Sequence, residues 1–225
     1  MSKKFTVLIR KKIKSYNKKI SVDADKSITH RSFFLASQCY GVSKIKGLNS
    51  EDINSTINGL QKLGIKIIKK NDSYYVYGNG ISGFKKFTGI LNFKNSGTSA
   101  RSFLGLLACY PHPVTITGDS ALKIRPFRRL TNYLEKIGTN IIHPKNKNYT
   151  LPIKIHGTKD WALAQTHHLK IPSAQITSAL IYAGLQIRGT TKIIEAAETR
   201  DHTQKLLKCL GANIKTKKIK KGRIT

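Results

Sequence analysis

Apolar residues recur along this chain in three segments of one spacing: Leu60-x-x-Leu63-Gly64-x-x-Ile67, Leu134-x-x-Ile137-Gly138-x-x-Ile141 and Leu207-x-x-Leu210-Gly211-x-x-Ile214. Apolar residues three apart share a helix face, glycine suits the left-handed position just past a helix end, and the β-branched residue after it opens a strand. The three glycines stand 74 and 73 residues apart, a period that marks a repeated structural unit. In the same register a first helix is predicted over residues 29–40, 99–110 and 176–186, each rich in Ser, Ala, Leu or Phe. A short strand follows each, at 42–45, 114–116 and 191–194, and a polar loop at 49–52, 118–121 and 198–201 then opens the second helix. After the glycine comes a hairpin, with turns predicted at Asn71-Asp72 and at residues 145–148. The unit reads helix, strand, helix, strand, strand, and three copies around a shared axis make one α/β domain.

The third copy looks cut short. Units one and two continue into a further strand at residues 73–77 and 152–156, whereas unit three turns near Lys221-Gly222 and stops at Thr225. The pattern therefore predicts a truncated third unit with an unpaired strand edge, in a piece of a longer protein.

Composition narrows the function classes. The 225 residues carry 41 Lys and Arg against 11 Asp and Glu, a net charge of +30, and 39% of them are hydrophobic. Apolar residues run the whole length, which excludes wholesale disorder. No window approaches eighteen uncharged apolar residues and the start has too short an apolar run for a signal peptide, so no membrane partner and no export are expected. Cys39, Cys109 and Cys209 are an odd number in apolar helical settings and read as buried free thiols in a reducing, cytoplasmic compartment. A charge of +30 would suit a basic nucleic-acid-binding module. The lysines, however, are spread along the chain with abundant Ile and Asn, so a general lysine bias accounts for the charge equally well.

Small polar residues and cations gather where helices begin. Asp25-Lys-Ser-Ile-Thr-His-Arg31 sets a capping residue, Lys26 and Arg31 around a helix N-terminus, whose free N–H groups and dipole favour an anion. Asn95-Ser-Gly-Thr-Ser-Ala-Arg101 occupies the equivalent place in unit two, and Ser173-Ala174-Gln175 that in unit three, without a cation. Two further loops add Arg125 and Arg200, whose planar guanidinium fork suits carboxylate or phosphate. The expected ligand is a small, multiply charged anion. A capped helix with solvated charges remains the plainer reading of each segment taken alone. His167-His168 has no Cys or carboxylate at ligand spacing and reads as a surface pair, not a metal site, and no Cys lies beside a histidine base. Trp161 and Tyr74-Tyr75-Val76-Tyr77 read as strand packing, since these aromatics are not interleaved with lysine as a nucleic-acid stacking surface requires. The lysines of 217–221 read as a solvated strand face.

Taken in order, five segments resemble the EPSP synthase (3-phosphoshikimate 1-carboxyvinyltransferase) family: Asp25–Arg31, Asn95–Arg101, Gly118-Asp-Ser-Ala-Leu-Lys-Ile-Arg-Pro126, Ser173-Ala-Gln-Ile-Thr-Ser-Ala179 and Thr199-Arg-Asp-His-Thr203. The resemblance implies one inside-out domain of three repeats, helices inside strands, over residues 20–225, and an N-terminal strand (residues 1–19) that belongs to a second, largely absent domain. It implies enolpyruvyl transfer from phosphoenolpyruvate to the 5-hydroxyl of shikimate 3-phosphate, without metal or organic cofactor, in a family that is usually monomeric and binds no nucleic acid. By the same resemblance, Lys26, Ser27, Arg31, Ser173, Ala174, Gln175, Thr199 and Arg200 would meet shikimate 3-phosphate. Lys26, Asn95, Gly97, Thr98, Arg125 and Gln175 would meet phosphoenolpyruvate. Some members carry Ser at the place of Ala174, and that hydroxyl is missing here. Gly97 is the small residue beside which glyphosate fits, so the intact enzyme is expected to be glyphosate-sensitive. The family's acid and base carboxylates lie on the other domain, so the chain is expected to bind shikimate 3-phosphate without turnover. The related UDP-N-acetylglucosamine enolpyruvyl transferase lacks the Arg-Asp-His-Thr segment and is the nearest alternative.

Overall fold

The computed structural model describes Leu8, Asn17, Lys19 and residues 22–144, 149–158 and 162–225. The strand expected at residues 6–9 falls outside the described residues except for Leu8, and the turn at 145–148 and Trp161 fall outside them altogether.

The repeat is built as three units, each with its own sheet. Unit one comprises α1 (Lys26–Gln38), β1 (Tyr40–Ile45), α2 (Glu51–Lys62), β2 (Lys66–Lys70) and β3 (Ser73–Asn79). Unit two runs β4 (Gly89–Asn92), α3 (Gly97–Leu106), β5 (Val114–Thr117), α4 (Ser120–Lys123), α5 (Arg128–Lys136), β6 (Asn140–Ile142) and β7 (Ile153–His156). Unit three runs β8 (Thr166–Leu169), α6 (Ala174–Gly184), β9 (Lys192–Glu195), α7 (His202–Cys209), β10 (Lys217–Ile219) and β11 (Gly222–Ile224). The sheet orders are β1-β3-β2, β4-β5-β7-β6 and β10-β11-β9-β8. In units two and three a leading strand lies parallel to the strand after the first helix, and the other pairings are antiparallel.

Each second helix ends as its glycine dictates. Gly64, Gly138 and Gly211 have φ of 85°, 97° and 81°, and the next residue's N–H reaches back to Leu60, Leu134 or Leu207 over 3.1, 3.2 and 3.0 Å. This is the Schellman closure that satisfies orphan carbonyls. The first helices form the inside of the domain. Buried residues cover nine of eleven positions in α6 and eight of ten in α3, but only three of nine in α5, which is amphipathic and lies outside. One aromatic from each first helix meets at the centre: Phe34 lies 5.6 Å from Phe103 and 5.7 Å from Tyr182, ring to ring. Gly105 lets α3 approach α6, because a Cβ there would collide with the Ala179 carbonyl.

Several expectations need correction. The third hairpin is closed, not severed: β11 pairs with both β10 and β9 after a turn at Lys220-Lys221, so no half-made hairpin is left. The leading strands β4 and β8 were not foreseen, because four residues with few inward apolar side chains carry almost no period-two signal. The second helix of unit two is split into α4 and α5 around Pro126, which lacks the N–H a continuous helix needs. Of the three thiols only Cys109 is buried; Cys39 is half-buried and Cys209 exposed, with none in a disulfide. Burial pushes the Cys109 thiol up to about 11. His167 is no surface residue: it is buried edge-on to Tyr133 while its neighbour His168 is exposed, since successive strand residues face opposite ways. Tyr74 and Val76 point inward, but Tyr75 and Tyr77 face outward, with the ammonium groups of Lys44, Lys66 and Lys70 4.9–6.0 Å from their rings. Pairing across strands thus interleaves lysine with aromatics that the linear sequence keeps apart.

Candidate functional site at the helix N-termini

The three first helices start alike. Asp25, Ser96 and Ser173 each accept a hydrogen bond from the N–H three residues on, at 2.7, 3.3 and 3.5 Å. The first two helical residues after each cap stand at the helix mouth: Lys26 and Ser27, Gly97 and Thr98, Ala174 and Gln175. Cross-unit bonds then lock the three mouths together. Gln175 accepts from Arg101 Nη1 at 3.1 Å and donates to Thr98 Oγ1 at 3.1 Å, joining α6 to α3. Arg200 Nη1 donates to Ser27 Oγ at 3.3 Å, joining the loop before α7 to α1. A buried polar chain completes the ring: His30 Nδ1, Thr56 Oγ1, Ser99 Oγ and Ser96 Oγ are linked over 2.8, 2.7 and 2.7 Å, from α1 through α2 to the α3 cap. Burial is the main force lowering the His30 pKa, to about 4, aided by Lys26 and Arg31 and opposed by Asp52, so its ring is neutral at pH 7.

Cations crowd this end. Arg125 donates to Asn95 Oδ1, and Arg101 lies over the Phe127 ring with its carbon 4.8 Å from the ring centre. Both guanidiniums close on Gly97, where an added Cβ would stand 2.9 Å from Arg101 Nη1 and 3.1 Å from Arg125 Nη1. Burial, then the charges of Arg125 and Arg129, hold the Arg101 pKa below its usual value. Among the described residues, Arg101, Arg125 and Arg200 have no carboxylate within ion-pair distance. Clustered cations without counter-charge favour a multiply charged anion over the empty site.

The structure brings most of the predicted residues together, with three qualifications. Lys26 is already paired with Asp52 at 2.8 Å, one of the acidic residues in the first turn of α2. Arg31 is buried, with 4% exposure; it donates to Thr203 Oγ1 at 2.8 Å, to the Ser27 carbonyl at 2.9 Å and to Ser178 Oγ at 3.1 Å. Thr199 donates its hydroxyl to Glu195 Oε1 at 2.7 Å, so that hydrogen points inward. The sequence reading missed Glu51, which meets Lys94 at 2.6 Å, as well as Asp52, Glu195 and Arg223. The Ser50-Glu51-Asp52 helix start, in register with the other polar loops, carried the signal for the first two. Among the described residues no cluster of three or more His, Cys, Asp or Glu is placed to hold a metal, and no helix is long and apolar enough to cross a membrane.

Comparison with known proteins identifies the family and the fold. A sequence model of the family described as EPSP synthase (3-phosphoshikimate 1-carboxyvinyltransferase) matches residues 10–225. The chain is 41% identical over 202 residues to the 3-phosphoshikimate 1-carboxyvinyltransferase of Vesicomyosocius okutanii, covering 89% of this chain and 46% of that protein. It is 38% identical over 213 residues to that of a Sulfurihydrogenibium species, covering 94% and 49%. A solved structure of EPSP synthase from Acinetobacter baumannii superposes with a TM-score of 0.83 at 29% identity, over 91% of this chain and 46% of the other. The chain spans about half the length of the curated relatives it matches.

Proposed function

The chain belongs to the EPSP synthase family, and from that premise we propose that its joined helix N-termini are the shikimate 3-phosphate half of a site that transfers enolpyruvyl from phosphoenolpyruvate to the 5-hydroxyl of shikimate 3-phosphate, releasing phosphate. Ser173 and Arg200 receive the 3-phosphate, with Thr199 beside them and Ala174 adding only close approach. Ser27, held from below by Arg31 through its carbonyl, meets the shikimate ring and carboxylate. Gln175, already fixed by Arg101 and Thr98, lies over the ring. Phosphoenolpyruvate sits at Gly97 and Thr98 with Arg125 and Asn95 on its acidic groups, and Lys26 exchanges Asp52 for the bound anions. The observation that carries this reading is the trio Arg101, Arg125 and Arg200 at one end of the domain, unpaired with any carboxylate among the described residues.

The chemistry asks the protein to hold two polyanions in contact and to stabilise developing charge, which fixed guanidiniums and helix N-termini do without a metal or organic cofactor. By the family resemblance the acid and base carboxylates lie on the other domain; in this chain Asp25 and Asp119 cap helices, while Glu51 and Asp52 pair with Lys94 and Lys26. On this reading the chain is a binding half that does not turn over alone; the family resemblance adds a monomeric state, a cytoplasmic location and glyphosate inhibition at Gly97 of an enzyme that includes both domains. Calorimetric titration with shikimate 3-phosphate tests the assignment. The folded chain should bind saturably, and Arg200→Ala should weaken binding by about 1.5–3 kcal/mol, the worth of a hydrogen bond to a charged group. No saturable binding, or unchanged affinity in the variant, would refute it, as would product formation by the chain alone for the claim of inactivity.

A further inference from the structure

We propose that Glu195 and Arg223 form a positioning pair that holds Arg200 in place for the phosphate end of the site; this rests on the reading that Ser173 and Arg200 receive the 3-phosphate. Glu195 ends β9 and is fully buried, and Arg223 is its direct neighbour across β11. Arg223 donates from Nε at 3.0 Å and from Nη2 at 2.6 Å, both to Glu195 Oε2. The other oxygen, Oε1, accepts from Thr177 at 2.9 Å and from Thr199 at 2.7 Å. One carboxylate thus ties together α6, the loop before α7 and the last strand. Gly222 makes the approach possible, since a Cβ there would collide with the Glu195 carbonyl.

The bonds bracket the exposed Arg200. Thr199, just before it, donates to Glu195 and lies 3.4 Å from Arg223 Nη2; Asp201, just after it, lies 4.0 Å from Arg223 Nη1. Thr177 sits one turn beyond Ser173, its N–H bonded to the Ser173 carbonyl at 2.9 Å, so the same carboxylate also fixes the α6 cap relative to the loop. A buried ion pair contributes little net stability relative to an apolar pair of similar size, because desolvation offsets attraction. What an apolar pair cannot reproduce is a fixed acceptor for two hydroxyls on separate elements. Arg223 also cancels a negative charge that would otherwise lie beneath a phosphate site.

The test compares shikimate 3-phosphate with shikimate, which lacks only the phosphate, by titration of the folded 225-residue chain and of the double variant Glu195→Leu/Arg223→Met. A positioning role predicts at least a tenfold loss of affinity for shikimate 3-phosphate, shikimate affinity within twofold of wild type, and a melting temperature within a few degrees. Unchanged affinity for shikimate 3-phosphate overturns the proposal. Equal losses for both ligands overturn it too, leaving only a role in folding. A wild-type chain that binds both ligands equally overturns the underlying site reading and this proposal with it. If the double variant does not fold, Arg223→Lys, which keeps the charge but loses the bidentate fork, decides by the same comparison: a selective loss for shikimate 3-phosphate supports the pair, and none overturns it.

Discussion

Acidification from pH 7 to pH 5 is expected to remove about 4 kcal/mol of folding stability from this chain through two buried imidazoles. His30 is fully buried and His167 is 2% exposed, and burial lowers each pKa from 6.5 to about 4. The folded state keeps both rings neutral where the unfolded chain takes up protons, so the stabilisation is complete above pH 6.5 and is lost as pH falls toward 4. At pH 5 an unfolded histidine is almost fully protonated and a folded one barely so, which amounts to about 2 kcal/mol per ring relative to pH 7. The Asp201 carboxylate does not blur this window. For Asp201, burial opposes its charge, but the bond and charge of Lys205 with the charge of Arg223 hold its pKa below the usual range, so its contribution fades only below about pH 4. Urea unfolding followed by far-UV circular dichroism at pH 7, 6 and 5 measures the slope. His167→Leu should remove about half of it. A stability that stays flat between pH 7 and 5, or a slope untouched by His167→Leu, would refute the reasoning.

Three further outcomes are expected. Gly97→Ala sets a methyl 2.9 and 3.1 Å from two guanidinium nitrogens; in an enzyme completed with its missing half, glyphosate inhibition should weaken about tenfold, an overpacking cost of roughly 1–2 kcal/mol, as read from inhibition curves. Gly105→Ala should prevent stable folding because its Cβ meets the α6 backbone at Ala179, whereas Gly211→Ala, in open space at φ 81°, should cost about 1 kcal/mol of left-handed strain in a thermal melt. A thiol reagent should modify exposed Cys209 promptly in the native protein and spare Cys109, which is buried with its pKa raised to about 11, until denaturant is added.

Features set within a few residues were legible from the linear chain. The helix-ending glycines needed only their apolar spacing and their place past the last turn, and all three take the expected left-handed conformation. The helix N-caps and the small residues beside them were readable for the same reason, although each helix begins two or three residues earlier than the apolar pattern suggests, because the cap fixes the start. The leading strands were not legible: β4 and β8 exist because each finds a parallel partner more than twenty residues away. Arg31 and Arg200 look equivalent as cations in sequence, yet one is buried under three protein acceptors and the other reaches the surface.

By itself, then, the sequence determined the repeat, the class of fold, the family resemblance and which small polar residues and cations stand at the helix starts, since motif chemistry and periodicity are local properties of a chain. Only the tertiary structure decided which of those residues are buried among protein partners and which reach the surface. The guanidinium of Arg31 takes its role from Thr203, 172 residues distant, when units one and three pack together, whereas Thr199 and Glu195 take theirs from Arg223, brought beside them when β11 pairs with β9 within unit three. Burial and partner choice depend on that packing, and no local pattern carries them.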